Sequence, residues 1–167
     1  LIHSDGTMPT AQVIADQAGV TIRTLFRHFP EMDLIYREVH ELTFAEYAKE
    51  YQKGDRTGTL EQRVENAAVT FTNGYSKLRN IFLVTKSLLR GSAFLRENYA
   101  KTQKGLSKRL LDWLPELSEM PDETHDAVDA LLSFEFWHRL HVIQGVSKKR
   151  TVSLIQAMVL DQMQGKQ

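Results

Sequence analysis

Arg23 and Arg27 stand four residues apart, so on a helix they share one face, one turn from each other. A guanidinium is a planar fork of donors, and two forks at this spacing can hydrogen-bond the edges of neighbouring bases or their phosphates. Ile22 and Phe26 run beside them at the same interval and offer apolar contact, while Leu25 and Phe29 form a separate pair suited to packing inward. Glu135 and His138, with His141 one turn on, have the Glu-x-x-His spacing of carboxylate-bound di-iron bundles. Such a centre needs a second copy of the motif and two further carboxylates, and no second copy occurs, so neither a metal nor another cofactor is expected. Lys148, Lys149 and Arg150 open the final helix, where the macrodipole disfavours cations, and read as a solvated helix end or a surface contact. No nucleophile sits in a recognisable turn and no glycine-rich phosphate loop follows a strand, so an enzyme is not expected.

Helices must position these residues. Apolar side chains recur at spacings of three and four, and strand-like alternation is hard to find, which predicts an all-α chain. With 42% hydrophobic and 25% charged residues, the chain has enough apolar content for a core and enough charge for a hydrated surface. The richest apolar stretch, Ala127 to Ile143, is interrupted by Asp129, Glu135, His138, Arg139 and His141, which argues against a membrane span. Without cysteine or a secretory-type leader, a cytoplasmic protein is the expectation. The 21 basic and 21 acidic residues balance, so any affinity for nucleic acid must come from local pattern.

Two short helices are expected within residues 10–29, broken at Gly19. Val13, Ile14 and Ala18 are read as the inner face of the first, Val20 as the plug between the two, and Thr21 as the cap of the second. Further helices are predicted over about 32–51 (face Ile35, Val39, Leu42, Ala45), 59–78, 80–89 and 94–114. Beyond a polar turn at 118–123 come helices over 122–144 and 148–164, joined by Gly145-Val146-Ser147. The loop 53–58 is the expected hinge. The chain begins at Leu1, as though inside a helix, which suggests a preceding N-terminal piece.

Ile14-Ala15, Ala18-Gly19-Val20-Thr21, Thr24-Leu25-Phe26 and His28-Phe29-Pro30, followed by a helix bearing Leu34, closely resemble the DNA-binding signature of the TetR family of transcriptional regulators. The resemblance covers residues 6–40 sharply and is architectural beyond them. It implies a helix-turn-helix head over 1–46, lacking its first helix, and a helical effector-binding and dimerisation body over 47–167. The implied function is sequence-specific regulation of transcription, typically repression released by a small molecule. Base-facing positions fall on Gln12, Ile22, Arg23 and Arg27, and phosphate or groove-edge positions on Thr10, Thr24 and His28, with Thr21 and Phe26 completing the DNA-binding set. Phe26 replaces the usual tyrosine, Met32 a usual basic residue, and residues 1–46 carry three basic against seven acidic side chains.

Phe71, Tyr75, Phe82, Trp113, Phe134 and Trp137 are candidates to line an apolar effector site, and equally to be core. A homodimer is expected through the last two helices, using Ala127, Leu131, Phe134, Val152, Ile155, Val159 and Met163. The expected partners are therefore a near-palindromic double-stranded DNA operator, a second copy of the chain and a small apolar effector, with no membrane. A bundle of the same shape that binds a protein or small molecule without reading DNA stands as the alternative.

Overall fold

The computed structural model describes residues 9–165, and every regular element among them is helical. The elements are α1 (Ala11–Gln17), α2 (Ile22–His28), α3 (Met32–Glu50), α4 (Leu60–Leu88), α5 (Ala93–Trp113), a 3₁₀ turn (Pro115–Glu119), α6 (Asp122–Leu131), α7 (Phe134–His138), a π-helical turn (Arg139–Ile143) and α8 (Lys148–Gln164). No helix among the described residues is long and apolar enough to cross a membrane.

The helix expected to break near residue 79 continues to Leu88, because neither glycine nor proline lies between Tyr75 and Arg90 to stop it. The converse holds for 122–144. There Ser133 accepts from the Phe136 amide at 3.2 Å and donates to Ala130 O at 2.7 Å, so one helix ends and another starts. Past His138 the bonding widens, with the Gln144 amide reaching Arg139 O at 2.9 Å and the Val146 amide reaching Leu140 O at 3.0 Å. His141 Nδ1 lies 2.8 Å from Val146 O and His138 stacks on Phe134, so both histidines have structural partners.

The chain divides into two compact units. One takes residues 1–48 and 78–102, the other 49–77 and 103–167. The first unit thus joins its N-terminal segment to a return segment within α4 and α5. In that unit Ala15, Leu25 and Ile35 form a buried cluster flanked by Ala11, Ile14, Phe29 and Met32. The face predicted for α3 is rotated: Ile35 is buried, yet Val39 is 44% and Leu42 81% exposed. Polar and aromatic contacts select the inner side instead. Arg37 lies 4.5 Å over the Phe94 ring, and His40 packs on Phe44 and Phe94 while its Nδ1 meets Asn98 Nδ2 at 3.1 Å.

The second unit buries Val64, Ala67, Phe71 and Tyr75 of α4 with Leu110 and Trp113 of α5, Val128 of α6, Phe134 and Trp137 of α7, and Ile155 and Val159 of α8. The Tyr75 hydroxyl donates to Leu132 O at 2.7 Å, which satisfies its polar end inside the core. Arg63 binds Trp113 O at 2.8 Å and grips the Glu116 carboxylate with both terminal nitrogens. Lys53 and Lys77 each pair with Glu50. Their hydrogen bonds hold the Glu50 carboxyl below its usual range, and that of Arg63 does the same for Glu116.

A depressed carboxyl pKa contributes stability that is complete above the unfolded value, about 4.3 for glutamate, and is lost as pH falls through the folded one. Glu116→Gln should therefore lower the urea midpoint at pH 7, and its gap to the parent protein should shrink as pH falls below about 4. Two helical glycines should respond oppositely to alanine. A Cβ at Gly105 meets nothing within 4 Å, so Gly105→Ala should stabilise by about 0.5–1 kcal/mol. A Cβ at Gly74 would lie 2.7 Å from the buried Tyr51 ring, so Gly74→Ala should destabilise by about 1–2 kcal/mol despite the better helix propensity. Urea denaturation of both variants checks the signs.

Candidate nucleic-acid interface

Both short helices, α1 and α2, are started by a threonine. Thr10 Oγ1 accepts from the Val13 amide at 3.3 Å, and Thr21 Oγ1 accepts from the Thr24 amide at 3.1 Å. Between them Gly19 has φ +68°, a left-handed conformation that a Cβ would strain, and the Val20 amide closes the end of α1 on Ala15 O at 3.0 Å. The chain reverses here within a few residues, and α2 packs onto α1 and the start of α3 through Leu25 and Ala15.

That packing assigns the faces. Leu25 is buried and Phe29 half-buried, so Ile22, Arg23, Phe26, Arg27 and His28 are left exposed on α2. Ile22 and Phe26 are each 39% exposed. Neither Arg23 nor Arg27 forms an ion pair with another described residue, so their donors are available to an outside partner. Thr24 is half-buried, and its hydroxyl lies 3.0 Å from that of Thr21, so it supports the cap as well as standing at the helix edge. Thr10 and Gln12 are exposed on the flank of α1. Gln12 Nε2 donates to Asp16 Oδ1 at 2.7 Å, a tether that fixes the amide. Asp16 was not among the expected site residues; its i, i+4 spacing from Gln12 is the signal that identifies it.

The inner face of α1 differs from the expected one. Ala11, Ile14 and Ala15 point inward, whereas Val13 is 44% exposed, Ala18 is exposed and Val20 is 38% exposed. A seven-residue helix has room for two inward turns, and Ala11 and Ala15 use them because their small side chains permit close approach to Leu25 and Ile35.

The remaining candidate residues lie elsewhere. Phe71, Tyr75, Phe134 and Trp137 form a connected ring cluster with centroid spacings of 5.6 to 6.0 Å, joined by Tyr51. Trp113 is buried beneath Arg56, whose guanidinium lies 4.3 Å from its ring. These five residues are core of the second unit, and Phe82 belongs to the first. Of the residues expected at a dimer face, Phe134, Ile155, Val159 and Met163 are buried by the chain itself, and Ala127, Leu131 and Val152 are half-buried. The helix α8 stripe that the sequence offered to a partner thus serves the protein's own core. Large apolar side chains that remain outside on this part of the chain are Ile143, 66% exposed, and Met158, 42% exposed.

No protein-family model, curated protein or solved structure matches this chain.

Removing the cap of α2 should loosen the arginine-bearing helix first. Thr21→Ala should cost about 1 kcal/mol and speed hydrogen exchange at the Thr24 amide, with the amides of α8 unchanged. Exchange followed by NMR checks this, and an unchanged Thr24 rate would mean that the cap contributes little.

Proposed function

We propose that this protein is a sequence-specific DNA-binding regulator whose α2 enters the major groove. The observation that carries the reading is the exposed pair Arg23 and Arg27 on a helix whose opposite side, Leu25 and Phe29, is packed against α1 and α3. Arginine gives two parallel hydrogen bonds to the O6 and N7 of guanine, a pattern that no other base pair presents in the same place. The close resemblance of residues 6–40 to the TetR signature supports the same assignment. Exposed Thr10, Gln12 and His28 flank α2 and suit contacts to backbone and groove edge, which fix register without reading sequence.

A dimer would present two such helices about one helical turn of DNA apart, and its operator would be a near-palindrome. Exposed Ile143 and Met158, with half-buried Ala127, Leu131 and Val152, supply the apolar surface for a second copy. The acidic side chains of the head weigh against strong non-specific binding, since that component comes from neutralised phosphates.

Selection of bound sequences from a random duplex pool tests the reading directly. It should return one preferred site with two inverted halves, and Arg27→Ala should weaken that site about 5- to 150-fold, well beyond its effect on random DNA at the same salt concentration. Recovery of a single half-site would remove the dimer from the proposal, and recovery of no preferred sequence would remove DNA reading itself.

A further inference from the structure

The exposed side of α2 carries two rows, and the arginines form one of them. Ile22 and Phe26 form the other, at the same i, i+4 interval and about 100° around the helix axis. The core does not require this second row, because the inward side of α2 is already filled by Leu25 and Phe29. Neither Ile22 nor Phe26 has a side-chain polar atom, so the row can offer neither a phosphate nor a base edge a hydrogen bond. In the major groove the one apolar group that a base pair presents is a methyl at pyrimidine C5.

Resting on the DNA-reading assignment above, we infer that Ile22 and Phe26 recognise the C5-methyl group of a pyrimidine beside the guanine read by Arg23 or Arg27. The two rows lie side by side on one short helix, so the methyl and the guanine belong to the same or neighbouring base-pair steps. Recognition is by burial: the methyl leaves water against the isoleucine and phenyl surfaces, which lose part of their own exposure. Thymine carries this methyl intrinsically and 5-methylcytosine acquires it by modification, so the same row would also make binding sensitive to cytosine methylation.

The experiment uses the full chain and the site returned by selection from an unmodified pool. Each thymine of a half-site is replaced in turn by deoxyuridine, which deletes the methyl and leaves the hydrogen-bonding edge intact. Each cytosine is replaced in turn by 5-methylcytosine. Burial of one carbon predicts about fourfold weaker binding when a recognised thymine loses its methyl, or about fourfold tighter binding when a recognised cytosine gains one. The first result assigns thymine as the source, the second 5-methylcytosine. In Phe26→Ala, and independently in Ile22→Ala, this sensitivity should fall towards onefold while the preference for the neighbouring guanine persists. Both side chains are exposed, so helicity measured by circular dichroism should be retained; if one variant loses it, the other provides the comparison. Insensitivity to every methyl change, or equal sensitivity in parent and variants, overturns the inference while leaving sequence-specific binding in place. Recovery of no preferred site overturns the DNA-reading assignment instead.

Discussion

The meeting of Ala15, Leu25 and Ile35, one residue from each of the first three helices, is the contact on which the candidate interface depends. Neither α1 nor α2 can hold its shape alone, since each has seven residues, well below the length at which an isolated helix is stable in water. Their order comes from this small cluster, from two threonine caps and from a turn that needs a left-handed residue at Gly19. Once Leu25 is committed inward, helical geometry places Arg23 and Arg27 on the outside. The chemistry available on the surface follows from the packing beneath it.

The second unit solves a different problem, which is to bury Tyr75 among large aromatic side chains without stranding its hydroxyl. It does so through Leu132 O, and the backbone around Ser133 is shaped to permit it, since α6 stops there and α7 restarts. Arg63 plays a comparable part at the surface, tying the end of α5 to the following 3₁₀ turn through Trp113 O and Glu116. Among the described residues, the buried indole nitrogens of Trp113 and Trp137 and the buried Thr72 hydroxyl meet no hydrogen-bond partner. The Trp137 ring packs against Tyr75 and Phe134, and the Trp113 ring lies under the Arg56 guanidinium.

Charge and exposure divide the work on α2. Among the described residues the arginines have no ion-pair partner, so none of these must be displaced for them to engage another molecule. The apolar residues beside them are only partly exposed, which limits the cost of leaving them in water. Gln12 is held by Asp16, so part of the ordering entropy of a flexible amide is met within α1 itself.

By itself the sequence determined the all-helical class, the Thr21 cap of α2, the glycine turn, the inward pair Leu25 and Phe29 and the outward set Ile22, Arg23, Phe26 and Arg27. Local rules sufficed for these, because capping, left-handed turns and i, i+4 spacing act over a few residues. The bounds of the last helix, 148–164, were legible as well, and in the structure Ser147 caps it and Gly165 follows it. Tertiary structure alone decided which of several apolar stripes faces inward. On α3 contacts among Arg37, His40, Phe94 and Asn98 turn Val39 and Leu42 outward, and on α8 the chain's own core takes Ile155 and Val159. Periodicity shows that a face is apolar, but what covers it depends on residues tens of positions away, whose arrival is a property of the whole fold.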